Sequence, residues 1–210
     1  MKILYFITFL CLGFLSCKPN NNLNDTSWYT EDQINTLLKH YLPQGGYFVA
    51  AQSQLEHRSL IGVNVMAAIN VVIYDGKIAV LPIQVHGNHW VGVMIRKRSL
   101  LENVLQVIYN NPQGSPLAGE APHDLNLIDP ILNNLPPGWD HDLRDLQLVQ
   151  QKNSYDCGPF TVDNLVKLAE ADTLSNLSNQ EIIDGVHFQH PENGSAYDIR
   201  QEHKKILNNS

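Results

Sequence analysis

The spacing of apolar residues changes character several times along the chain. Ile34, Leu37, Leu38 and Tyr41 recur at helical intervals. Just ahead of them, Thr30-Glu31-Asp32-Gln33 has the form of a capping box, with the Thr hydroxyl capping the helix start and Gln33 reaching back. Pro43 and Gly45-Gly46 end that helix. Residues 47–70 carry a mixed pattern that fixes no element. Asn70-Val71-Val72-Ile73-Tyr74 is β-branched and predicts a strand, with Asp75-Gly76 as a turn. Lys77–Val85, Trp90–Ile95 and Val104–Tyr109 predict further strands, with a charged turn region over Arg96–Asn103. Asn110-Asn111-Pro112-Gln113-Gly114 is a turn signal. Leu125–Leu135 has a helical pattern that Pro130 must start, kink or split. Leu143–Gln150 predicts another strand. Cys157 opens a helix through Phe160, Leu165, Val166 and Leu168, and Glu181–Val186 and Ile199–Leu207 predict shorter helices.

Helix, strands, helix, strand, then helices is an α+β order, with an antiparallel or mixed central sheet flanked by helices. It does not alternate regularly enough for a doubly wound parallel sheet. No repeat and no internal boundary interrupts it, and 210 residues suit one domain with a real core.

The beginning of the chain reads differently. Met1-Lys2 precedes an apolar run from Ile3 to Leu15, then Ser16-Cys17-Lys18-Pro19. A short positive start, an apolar stretch and a small residue before a cut predict an export signal over residues 1–17. The run falls short of the roughly 20 apolar residues of a spanning helix. Phe14-Leu15-Ser16-Cys17 resembles a bacterial lipoprotein cleavage box, in which the Cys becomes lipidated. Residues 18–27 predict a polar linker, and residues 28–210 the domain itself. The protein is therefore expected to be exported, secreted or anchored, touching a membrane only through this leader.

Charge and cysteine content narrow the chemistry. A net charge of -7 with 17% charged residues is globular, and an acidic chain without a basic run gives no support to nucleic-acid binding. Of three cysteines, Cys11 and Cys17 lie in the leader. The domain keeps Cys157 alone and cannot form an internal disulfide. A lone Cys is commonly a small buried hydrophobe. Cys157 instead heads a helix between Asp156 and Gly158-Pro159, where backbone N–H groups and the helix dipole favour thiolate. Gly158 is expected to let substrate approach closely, and Pro159 suits a first helical turn.

A thiolate needs a proton carrier, usually His. Among nine His residues, His89 opens a strand after a glycine-containing loop, which gives its side chain a fixed base. His86, the nearest competitor, lies in the loop. His40, His57, His123, His141, His187, His190 and His203 stand in polar surroundings and are expected at the surface. The strand Val104–Tyr109 should pair beside His89 and deliver Asn110 and Asn111 to the same edge, where either amide can orient the imidazole. Gln151 can donate to a developing oxyanion together with the backbone N–H of Cys157. Trp90 is a packing residue that can also shape a substrate channel.

His89-Trp90 at a strand start, a polar residue after the following strand, and Gln151 through Tyr155-Asp156-Cys157-Gly158 together resemble the ubiquitin-like-protein-specific cysteine proteases. That superfamily includes SUMO proteases, deneddylases, adenovirus-type proteases and bacterial effector deubiquitinases. Trp28-Tyr29-Thr30 with its helix also looks like the bacterial members, and the similarity runs from Trp28 to about Leu168. It implies a papain-like architecture with the catalytic Cys at a helix N-terminus. It further implies a Cys157-His89-Asn111 triad with Asn110 as fallback, and Gln151 as oxyanion donor. The implied substrate is ubiquitin or a ubiquitin-like protein whose Gly-Gly tail threads a channel roofed by Trp90. The triad position usually holds Asp, so Asn111 orients the imidazole without adding charge. No metal or cofactor is implied. Two other readings share the superfamily. One is an effector acetyltransferase, which usually has Glu in the third position and a basic region for an inositol phosphate and coenzyme A, neither evident here. The other is a non-catalytic module binding a ubiquitin-like protein.

Overall fold

The computed structural model describes residues 24–43, 45–53, 58–85, 89–117, 128–129, 133, 135–171 and 174–210, with the side chains of 52–53 and 58–64 left aside. The leader, His57, His86, His123 and most of the expected 125–135 helix lie outside these residues.

Helix α1 (Glu31–Tyr41) begins at the expected capping box, with both reciprocal bonds between Thr30 and Gln33 formed. It buries Ile34, Leu37 and Leu38. Two short strands follow, β1 (Tyr47–Val49) and β2 (Gln52–Ser53), and both run parallel to β3 (Ile78–Val85). Between them lies helix α2 (Arg58–Asp75). β3 pairs antiparallel with β4 (His89–Lys97), and β4 antiparallel with β5 (Val104–Asn110). β6 (Asp140–Asp145) closes the sheet, parallel to β5. Three helices complete the chain: α3 (Cys157–Glu170), α4 (Asn179–Val186) and α5 (Tyr197–Asn209). The architecture is the expected α+β, with a mixed sheet flanked by helices.

The central strands are covered on both faces, and their alternation sorts the core into two layers. In β4, Trp90 and Met94 join the cluster built with α1 and α3, while Val91, Val93 and Ile95 join the one under α2. α3 lies very close to the sheet at Gly92. A Cβ there would stand 2.9 Å from Leu165 Cγ, so any larger residue would push the helix outward.

Two elements differ from the sequence reading. Asn70–Tyr74 is not a strand but the last part of α2. Val65, Ala68, Ile69, Val72 and Ile73 are buried at helical spacing, and that stripe overrides the β preference of the Val-Val-Ile run. The strand expected at Leu143–Gln150 ends at Asp145 and begins earlier, at Asp140. Its charged sequence is typical of a sheet edge and hides it from an apolar count. Beyond it, Gln147 takes a left-handed φ of 49°, which breaks the extended run.

Candidate active site

The sheet end that starts β4 and finishes β5 brings His89 and Asn111 together. Asn110 pairs with Gly92, so the turn after β5 brings Asn111 alongside the start of β4. His89 Nε2 and Asn111 Oδ1 are 2.9 Å apart. Asn111 Oδ1 also accepts the Gln113 backbone N–H at 2.9 Å, and that donor fixes which way the amide faces. The ring nitrogen facing Oδ1 must then carry the hydrogen. Nε2–H donates, and Nδ1 of the neutral ring is the proton acceptor. Asn110, the alternative partner, turns the other way: its Oδ1 accepts from Asn164 Nδ2 at 2.6 Å, deep under α3.

Gln151 does not arrive on a strand. Its backbone N–H and that of Gln150 both donate to Pro112 O at 2.9 Å, and Gln113 bridges to Val149. The segment is thus stitched to the turn that carries Asn111. The Gln151 amide donates to Asn153 O, which leaves its second N–H to serve another acceptor.

Cys157 is the first residue of α3 and is buried. Thr161 Oγ1, one turn on, donates to Trp90 O at 3.0 Å and ties the helix start to the residue after His89. Burial pushes the Cys157 thiol pKa up. Backbone groups of Trp90, Gly158 and Cys157 itself that hydrogen-bond the sulfur pull the other way, as does the charge of Arg200. The sulfur therefore sits among N–H groups at a helix head and against the strand that starts with His89. Such a set can share a proton, form a thioester and receive a developing oxyanion.

Several expectations need correction. Trp90 is only 1% exposed, and its indole N–H donates to Tyr29 O at 2.9 Å, so it is an inner wall and not an open roof. An exposed aromatic does stand by this loop: Trp28 is 46% exposed, and its Nε1–H donates to Ser154 O at 2.9 Å in the loop leading to Cys157. Its place ahead of the α1 capping box was the available signal. Gly158 does not face open space: a Cβ would come within 2.8 Å of Tyr29 Cβ, so packing requires the glycine. His203 is not at the surface. It lies on the buried stripe of α5 with Ile199, Arg200 and Leu207, and Tyr29 Oη is 3.0 Å from its Nδ1. Burial first, and Arg200 second, depress its pKa to about 3. The ring is neutral at physiological pH and shares a hydrogen bond with the Tyr29 hydroxyl. A basic cluster does exist. Lys77 and the consecutive Arg96-Lys97-Arg98 line a cleft of about 350 Å3 at the far end of β3 and β4 from His89; the sequence shows the triplet as part of a charged turn region, and the fold adds Lys77 to it.

Residues 77–184 match the family model described as the RickCE-like catalytic domain, a stretch that contains His89, Asn111, Gln151 and Cys157. Among solved structures, the Rickettsia bellii effector protein RickCE is similar at 21% identity and a TM-score of 0.63, over 87% of this chain and 95% of that one. The Xanthomonas campestris effector protein XopD, bound to ubiquitin, is similar at 17% identity and a TM-score of 0.54, over 90% and 93% of the two chains. The SUMO protease Ulp1, with its catalytic cysteine oxidised to a sulfenic acid, follows at 15% identity and 0.52, over 88% and 79%. No curated protein sequence matches.

Proposed function

The chain belongs to the RickCE-like catalytic-domain family of the ubiquitin-like protease superfamily, and from that footing we propose that it is a cysteine peptidase cleaving after the Gly-Gly tail of ubiquitin or a ubiquitin-like protein. The observation that carries this reading is the His89 Nε2–Asn111 Oδ1 bond at 2.9 Å, together with a cysteine at the head of α3, a helix that Thr161 ties to the carbonyl of Trp90. In the proposed cycle Nδ1 of His89 takes the Sγ proton as Sγ attacks the carbonyl carbon of the terminal Gly. The oxyanion accepts from the Cys157 N–H and the free N–H of Gln151. His89 then protonates the leaving amine, a thioester remains, and water attacks it with His89 again as base. Trp28, exposed beside Ser154, supplies an aromatic surface for the extended tail. A ubiquitin-bound neighbour and a SUMO protease among the similar structures support the substrate class. An exported or lipid-anchored protein, as residues 1–17 suggest, meets such a substrate outside its own cell.

Acetyl transfer has one observation in its favour, the cleft of Lys77, Arg96, Lys97 and Arg98. Its cations are already engaged. Arg98 pairs with Glu102 at 2.8 Å, Arg96 donates to Ala171 O at 2.9 Å, and Lys97 lies over the Trp139 ring. A panel of fluorogenic ubiquitin-like tails tests the peptidase reading. Turnover of at least one tail by the parent and none by Cys157→Ala is the expected result. No turnover of any tail, with acetyl-coenzyme A labelling Cys157, would overturn it.

A further inference from the structure

Asp156 stands where a helix cap belongs and caps nothing. It directly precedes Cys157, yet its side chain makes no capping bond, and its φ of -94° and ψ of 6° are not those of a usual N-cap. Aspartate is among the residues that most readily cap a helix. Here both carboxylate oxygens are taken elsewhere. Oδ1 accepts Arg200 Nε–H at 2.6 Å, and Oδ2 accepts the Ala196 N–H and the Asn153 amide at 2.8 Å each. Asp156 and Arg200 are each 1% exposed.

Arg200 reaches further than its carboxylate. Its Nη2–H donates to Tyr155 O at 2.5 Å, and its Nη1–H to Ser27 O at 2.8 Å. One guanidinium on α5 thus grips the two residues before the nucleophile and the segment entering α1. The hold continues inward. Asn153 Oδ1 accepts the N–H groups of Tyr155 and Asp156 at 3.1 and 3.0 Å, and Asn153 O accepts the Gln151 amide.

We propose that Arg200 is a positioning residue: by holding Asp156 away from the head of α3, it keeps the first-turn N–H groups for the Cys157 sulfur and for a substrate oxyanion. Released from Arg200, the carboxylate turns to the Gly158 N–H, the one ordinary capping donor left at a helix start whose third residue is Pro159. There it competes with the thiolate for donors and repels it as a like charge. This inference rests on Cys157 being the nucleophile, and it makes α5 part of the working site although α5 lies outside the family match at residues 77–184.

The test is the rate of Cys157 alkylation by iodoacetamide at neutral pH in the folded full chain, beside kcat and KM on a cleaved tail. Losing oxyanion-type donors costs a hundredfold or more in known cases, so a partial loss in R200M is expected to slow alkylation and kcat at least about tenfold with KM little changed. R200M/D156A, which removes the competing carboxylate as well, is expected to return to within about threefold of the parent alkylation rate. R200K keeps a cation without the planar fork and is expected to fall roughly three- to tenfold. A merely structural role would lower the melting temperature of all three without this order of thiol rates. Parent-like alkylation in R200M, or a double variant no faster than R200M, overturns the proposal. Should R200M not fold, R200K carries the decision, and a parental rate there overturns it. Alkylation needs no substrate, so a chain that cleaves no tail defeats the proposed function while this comparison still stands.

Discussion

Asn111 binds His89 through an oxygen that the Gln113 backbone has already oriented. The relationship fixes the tautomer: hydrogen on Nε2, lone pair on Nδ1. Asn111→Ala removes the acceptor and frees the ring to turn. The expected result is a fall in kcat of about ten- to a hundredfold with KM nearly unchanged. Asn111→Asp keeps an oxygen acceptor and adds a charge that supports the imidazolium, so it should retain far more activity than the alanine variant. Steady-state kinetics on a cleaved tail checks both.

Burial raises the Cys157 thiol, so its reactivity depends on a partner that takes the proton. With His89→Ala that partner is gone. The alkylation rate of this variant should climb with pH to a midpoint above the ordinary thiol value of 9.0. A pH series of iodoacetamide rates measures it, and the parent should react faster throughout the neutral range.

Gly92 sets how closely α3 approaches β4. Gly92→Ala drives a methyl into Leu165 and should cost about 1–3 kcal/mol of stability. It should also lower kcat, because the same helix carries Cys157. Leu165→Ala in the same chain makes room. The loss of the double variant should then be clearly smaller than the sum of the two single losses in urea unfolding.

His203 gives the fold an acid limit. Its pKa is about 3 when folded and 6.5 when free, so between these values the unfolded chain binds a proton that the native chain refuses. Stability contributed by this site is complete above 6.5. It declines as pH falls, by up to about 1.4 kcal/mol per unit, and levels off near 3. Urea unfolding at several pH values should show this slope. His203→Gln, whose amide can still hydrogen-bond Tyr29 but cannot titrate, should lower it by about one proton.

The parts of this molecule legible in its sequence are those whose physics is local. The Thr30–Gln33 box, the helix head at Cys157 and the β4–β5 hairpin each follow from a few neighbouring residues. So did the preference for Asn111 over Asn110, through resemblance, and the geometry adds the Gln113 donor as its physical basis. What escaped depends on distant partners. α2 hid behind its β-branched end because its stripe only shows against the sheet. β6 hid because edge strands tolerate charge. His203 stands in a polar stretch and was expected at the surface, and Arg200 carried no expectation, yet Tyr29 and Asp156, far away in sequence, bury them.

The proposed proton sharing between the Cys157 sulfur and the His89 imidazole is tested most directly by trapping. Full-length ubiquitin or SUMO carrying a C-terminal electrophile is incubated with the parent, His89→Ala and Cys157→Ala, and adducts are located by mass spectrometry. The expected result is one adduct on Cys157 of the parent, strongly slowed in His89→Ala and absent in Cys157→Ala. Labelling of Cys157 at the same rate with and without the imidazole would contradict the account.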